Sequence, residues 1–186
     1  MEAAKEYLDE LQGVISALPI EKVQDLVDTI AAAYETERQV FLLGNGGSAA
    51  AASHLACDLQ KGIGGDAPKR FKAMALTDSV PIMTAWANDA DYTEIFAKQL
   101  DTWVRPGDLV IAISGSGNSP NVIKAVELAN AKGALTYGLT GFQGGKLAQV
   151  AAKSIVVPSN NMQQIEDVHV ILAHLVYSCL RKTIFA

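Results

Sequence analysis

Cysteine is nearly absent: the chain holds two, Cys57 and Cys179, far apart and in apolar helical contexts. They form no CxxC pair, which excludes a secreted disulfide framework. Cys57 reads as a small buried hydrophobe rather than a soft metal ligand. No stretch clusters lysine and arginine, and the net charge is −5. Nucleic acid and membrane are therefore poor partners, and an anionic ligand would need a local binding device. No apolar run is long enough to cross a bilayer. The longest, Val168 to Leu180, is interrupted by His169 and His174. The start, Met1-Glu2-Ala3-Ala4-Lys5-Glu6, is acidic and amphipathic, unlike a signal or transit peptide, so the expected location is cytoplasmic. Repeats, low-complexity tracts and linkers are also missing.

What is present is apolar residue in quantity. At 49% hydrophobic over 186 residues, the chain can bury one substantial core and is short for two. A single domain over residues 1–186 is expected, with residues 1–36 as helices packing on it or on neighbouring subunits. Leu8, Leu11, Ile15 and Leu18 recur at helical spacing, and Val23, Leu26, Val27 and Ile30 repeat the pattern after Pro19. Short apolar runs then appear at Val40–Leu43, Ala73–Leu76, Leu109–Ile113, Leu135–Leu139 and Ile155–Val157, with helical patterns between them. Such alternation predicts an α/β fold, with five parallel strands joined by right-handed crossovers and helices on both faces. Met162 to Thr183 reads as a long closing helix.

In sheets of this kind ligands bind beyond the carboxyl ends of the strands, so the loops there matter most. The first strand runs into Gly44-Asn45-Gly46-Gly47-Ser48, followed by the Ala-rich segment Ala49–Leu59. Glycines let backbone approach a ligand, and free N–H groups at a helix start favour anions. A plain strand-to-helix turn would account for this loop taken alone. The G-x-G-x-x-G dinucleotide pattern fails at Ala49. The next strand's acid, Asp78, also lies roughly 30 residues on, later than the roughly 20 of a ribose-binding acid. A nucleotide-dependent dehydrogenase is thus poorly supported. The second loop, Ser114-Gly115-Ser116-Gly117-Asn118-Ser119-Pro120, follows another strand. Ser119 and Pro120 suit a helix cap and first turn. A cap explains one serine, whereas three around two glycines suit a phosphoryl group.

Candidate acids, bases and ligands lie on two helices. His54 and Asp58 stand at i and i+4 on the first, so they share a face. That spacing fits two ligands to one metal or a hydrogen-bonded acid–base pair; by itself it also fits a solvated polar face. The last helix offers Glu166, Asp167, His169 and His174. His169 and His174 are about 140° apart around it and cannot readily share a site. By context alone, His174 in its apolar run reads as a core histidine.

Taken in order, Gly44-Asn45-Gly46-Gly47-Ser48-Ala49, His54, Asn88-Asp89, Ser114-x-Ser116-Gly117-Asn118-Ser119, Leu139-Thr140-Gly141 and the histidine-bearing last helix resemble the sugar isomerase (SIS) domain over nearly the whole chain. Within that superfamily the chain is most similar to the phosphoheptose isomerases. The resemblance implies a flavodoxin-like three-layer sandwich, a cytoplasmic homotetramer with sites at subunit interfaces, and sedoheptulose 7-phosphate as the sugar-phosphate substrate. It implies zinc held by His54, Asp58, Glu166 and His174, with Asp58 as base and His174 as acid. Substrate contacts are implied at Asn45, Gly46, Gly47, Ser48, Asp58, Asn88, Asp89, Ser114, Gly115, Ser116, Ser119 and Glu166. Two positions depart from the family pattern. Asp58 stands where the family has Glu and reaches one methylene less; Glu166 stands where it has Gln and adds a negative charge. The extra carboxylate also suits manganese or iron. Eight residues of helix rise about 12 Å, so Glu166 would have to lean in to meet His174, with Asp167 as a substitute. The competing readings are a SIS isomerase of another sugar phosphate and a non-catalytic sugar-phosphate sensor or adaptor. Retention of the four acid–base residues favours an enzyme.

Overall fold

The computed structural model describes residues 2–63 and 69–184; Met1, residues 64–68 and the last two residues lie outside the described residues. Five parallel strands form one sheet: β1 (Gln39–Gly44), β2 (Lys72–Ala75), β3 (Leu109–Ser114), β4 (Leu135–Thr140) and β5 (Lys153–Val156). Their order is β2-β1-β3-β4-β5. The inner strands β1, β3 and β4 are buried almost throughout because both sheet faces are covered there, whereas the edge strand β2 leaves Lys72 and Met74 exposed and β5 buries only Ile155. Successive side chains alternate between the faces. Val40, Leu42, Leu109, Ile111, Ile113, Tyr137 and Leu139 enter one core cluster. Phe41, Leu43, Val110 and Ala112 enter the other.

Helices α2 (Ile20–Glu35), α3 (Gly47–Cys57) and α8 (Met162–Ile184) supply the first cluster. Helices α5 (Ala97–Trp103), α6 (Pro120–Ala131) and the short α7 (Leu147–Val150) supply the second. The remaining two, α1 (Glu2–Ser16) and α4 (Val80–Asp89), have no buried residue. On α1, Leu11 and Val14 lean on the core while Leu8 and Ile15 stay exposed. Polar bonds fasten α1 to α8: the Tyr7 hydroxyl donates to Asp167 at 2.6 Å, and the Gln164 amide donates to Glu10 at 2.7 Å. Asp167 therefore faces α1.

The first helix after the sheet begins differs from expectation at both ends. It starts at Gly47, and at Asp58 it widens into a π-helical turn, Asp58–Ile63. Cys57 is exposed, because Ala51, Ala52, Leu55 and Ala56 carry the buried face of α3.

On α8 the core histidine is His169, 1% exposed, with Nε2 3.4 Å from the Thr140 carbonyl and Nδ1 without a partner. His174, five residues on, is exposed. Burial pushes the His169 imidazole down to about 4, against a smaller opposing effect of the Thr140 carbonyl. Between that value and the roughly 6.5 of an unfolded histidine, the unfolded chain binds a proton that the native state refuses. The stabilisation is thus complete above about pH 6.5 and lost as pH falls toward 4, a difference on the order of 3 kcal/mol. Urea unfolding at stepped pH is expected to show this loss, and His169→Gln to flatten it over the same window. Equal slopes for the two proteins would refute the assignment.

Candidate active site

Strands β1 and β3 are neighbours whose onward helices, α3 and α6, cover opposite faces of the sheet. The crevice at the carboxyl ends of such a pair is where open α/β sheets bind ligands. Both loops singled out in the sequence open there. A pocket of about 140 Å³ is lined by Asn45, Ser48, Ser114, Gly115, Ser116, Ser119 and Glu166, with Ile113 and Met162. These residues belong to the starts of α3, α6 and α8, so three helix N-termini converge on it. Their aligned dipoles favour an anion, although the Val122 and Gln163 N–H groups are already taken by the Asn121 and Asn161 side chains. The lining contains no lysine or arginine. Negative charge would be met by backbone dipoles and hydroxyls.

Local conformation explains why the loops can close so tightly. Gly46 precedes α3 at φ 54° and ψ −123°, a backbone state costly for any residue with a Cβ. Gly117 lies at φ 66°, and a Cβ there would sit 2.1 Å from the Gly144 carbonyl oxygen, so the 114–119 and 141–146 loops pack backbone to backbone. The Leu147 N–H donates to the Gly117 carbonyl at 2.8 Å, and the Gly141 N–H to that of Gly115 at 2.9 Å. Ser119 occupies the N-cap position of α6, with Pro120 in the first turn, but its hydroxyl makes no capping bond. It meets the Ser114 hydroxyl at 3.1 Å instead. The Ser116 hydroxyl accepts the Asn118 N–H at 3.2 Å.

A second constellation lies further along the same helices. His54 Nε2 and His174 Nε2 are 2.8 Å apart, and Asp58 Oδ2 is 3.4 Å from His54 Nε2. The ligating atoms of these three residues fall within 4.8 Å of one another. Asp58 Oδ2 is buried and accepts no hydrogen bond. Two imidazole nitrogens turned on each other beside an unsatisfied carboxylate oxygen fit a divalent ion. Tetrahedral ligands about 2.0–2.1 Å from zinc are about 3.3 Å apart, close to the 3.4 Å between Asp58 and His54 and wider than the 2.8 Å between the two histidines.

Glu166 does not join that group. A Cβ placed on Gly47 would lie 2.6–2.8 Å from its carboxylate atoms, which puts Glu166 against the glycine loop and in the serine-lined pocket. The cause is the helix rise: α3 and α8 run side by side in the same sense, Gly47 beside Glu166 and His54 beside His174, with about 10–12 Å between the two levels. Asn88 and Asp89 end α4, exposed and outside the pocket lining, with the Asn88 amide donating to Asp89 at 2.8 Å. Two residues enter that the sequence did not flag as functional. Asn121 and Asn45 exchange two amide hydrogen bonds, both 2.9 Å, and the Tyr92 hydroxyl donates to Asn45 Oδ1 at 3.2 Å. The only sequence signal was a short polar side chain in the first turn after the serine loop.

The model of the SIS domain matches residues 6–141. The phosphoheptose isomerase of Sulfurimonas denitrificans is 37% identical over 166 residues, covering 89% of this chain and 85% of that protein. A solved phosphoheptose isomerase from Neisseria gonorrhoeae superposes with a TM-score of 0.88 at 29% identity, covering 97% of this chain and 98% of that one. One from Francisella tularensis gives 0.90 at 26%, covering 97% of each. With the sheet order, the paired loops and the histidine–carboxylate cluster, these matches place the chain in the SIS-domain family, among the phosphoheptose isomerases.

Proposed function

We propose that the protein interconverts sedoheptulose 7-phosphate and D-glycero-D-manno-heptose 7-phosphate. The observation that carries this reading is the spacing of the two constellations: an anion pocket and an acid–base cluster about 10–12 Å apart on one pair of parallel helices. A seven-carbon sugar with phosphate at one end and its carbonyl at the other needs such a separation. Asn45, Gly46, Gly47, Ser48, Ser114, Gly115, Ser116 and Ser119 form the phosphate end, and Glu166 faces the sugar hydroxyls. Asn88 and Asp89 would contact substrate only as part of the assembled oligomer.

At the reacting end Asp58 removes the carbon-bound proton, giving an enediol, and returns it to the neighbouring carbon. His174 donates to the carbonyl oxygen as that proton leaves, and recovers a proton from the adjacent hydroxyl. Phosphate anchorage holds the reacting carbons against these groups, so that remote binding lowers the entropic part of the barrier. His54, Asp58 and His174 would each hold zinc or a similar divalent ion through one atom, leaving the second Asp58 oxygen and the other His174 ring nitrogen for proton transfer, and the ion when bound supplies Lewis-acid polarisation of substrate oxygens. Glu166 belongs with the substrate pocket rather than the ligand set.

A cytoplasmic homotetramer, with residues 1–186 as one SIS domain, completes the proposal. Leu8 and Ile15 on α1, and Val80, Ile82 and Trp86 on α4, support the association of copies: they are exposed apolar residues on helices with no fully buried residue in the single chain. Among the described residues, no helix is long and apolar enough to cross a membrane.

NMR of purified protein with sedoheptulose 7-phosphate is expected to show the aldoheptose 7-phosphate, with the signal lost after chelation and restored by zinc. Chelator-insensitive turnover would return the cluster to acid–base work alone. Asp58→Asn is expected to lower kcat by about 10²-fold or more with substrate affinity largely kept; unchanged kcat would remove it as base. Replacing Ser116 and Ser119 together by Ala is expected to raise KM at least about tenfold. An unchanged KM would take the phosphate role away from that loop.

A further inference from the structure

The glycine loop and the serine loop must hold one phosphate between them, yet 76 positions separate Asn45 from Asn121 along the chain. We infer that Asn121 is a positioning residue that sets the gap of the phosphate pocket by clasping Asn45. This rests on the reading of that pocket as the phosphate site and assigns a role to a residue outside its lining.

The two side-chain amides face each other and exchange donor for acceptor. Asn45 Nδ2 donates to Asn121 Oδ1, and Asn121 Nδ2 donates to Asn45 Oδ1, each at 2.9 Å. Two parallel bonds between planar groups fix distance and relative rotation, whereas a single bond would fix only distance. Asn121 Oδ1 also accepts the Val122 N–H at 3.0 Å, which satisfies one of the open donors at the start of α6. That backbone donor settles which end of the Asn121 amide is oxygen, and so sets the direction of both clasp bonds. On the other side Asn45 Oδ1 takes a further donor, the Tyr92 hydroxyl. Both oxygens then have each lone pair used.

Burial separates the two roles. Asn121 is 2% exposed and does not line the pocket, so it has no surface on which to meet a ligand. Asn45 lines the pocket and keeps one amide hydrogen uncommitted. Asn121 therefore acts through Asn45. A buried amide with all acceptor capacity met has a single low-energy arrangement, and losing its partner would leave an unsatisfied polar group beside the pocket. Without the clasp, the β1–β3 pairing would still fix the bases of the loops at Gly44 and Ile113, but the residues beyond them would lose their side-chain tie, and binding phosphate would have to fix that remaining freedom.

The test is a double-mutant cycle on the full chain, read both as kinetics with sedoheptulose 7-phosphate and as calorimetric binding of inorganic phosphate. Asn121→Ala is expected to raise KM and weaken phosphate binding about tenfold while kcat falls less than threefold. Adding Asn45→Ala should cost less than its effect alone, since the shared interaction is already gone. Asn121→Asp guards against a variant that fails to fold. It keeps the acceptor for Val122 and places a carboxylate at a helix N-terminus, where charge is tolerated, but turns an oxygen toward Asn45 Oδ1. Non-additivity with Asn45→Ala is expected in this series too. Additive losses, or a lowered melting temperature with unchanged KM and phosphate affinity, would reduce Asn121 to a structural residue and overturn the inference. Wild-type protein that bound neither ligand would instead overturn the reading of the pocket, and the clasp's role with it.

Discussion

Everything at the site depends on β1 and β3 lying side by side while their connections leave on opposite faces. The divergence opens a crevice that no side chain of the sheet itself can fill, and both strands end in it. Because each strand passes directly into a helix, the crevice is bordered by helix starts, whose N–H groups lack intrahelical partners. Met162 brings a third helix start from the far end of the chain. Topology thus gathers three helix starts at one point before any particular side chain is considered.

The parallel run of α3 and α8 then converts this point into an axis. Glycine at position 47 allows Glu166 to approach, and two helical turns further along the two histidines meet. Both helices bury apolar faces in the same core cluster: Ala51, Ala52 and Leu55 from one, Ile165, Val168, Leu172 and Ala173 from the other. Packing therefore fixes the spacing of pocket and cluster, and the polar residues inherit it. Asp58 sits where α3 changes into the wider π-helical turn, a kind of distortion that recurs at functional positions.

Much of this was legible in the sequence, for a physical reason. Strands buried on both faces must be apolar throughout, so Leu109–Ile113 and its counterparts stand out against helical periodicity. The serine loop stood out because three hydroxyls around two glycines exceed what a helix cap uses, whereas the glycine loop taken alone also read as a plain strand-to-helix turn. What escaped was set by distance along the chain. The bond between Asn45 and Asn121 and that between Asn45 and Tyr92 leave no local pattern. Ser119 has the residue type and place of a cap, but Ser114 takes its hydroxyl. Cys57 was placed inside on composition, whereas the phase of α3 turns it outward. Helical phase separated His169 from His174, but not which of them faced the core. Glu166 was grouped with His174 by resemblance, and the helix rise sets them two turns apart.

The absence of any lysine or arginine from the pocket lining bears on how such a receptor behaves under changing conditions. Backbone dipoles and serine hydroxyls neither gain nor lose protons in the physiological range, so acidification has no cation to create and alkalinity none to remove. They carry no net charge either, so an anion entering the pocket meets dipoles rather than a paired cation. In the single chain this leaves the phosphate's own second ionisation, at about pH 6, as the source of any pH dependence near neutrality in anion binding at this pocket.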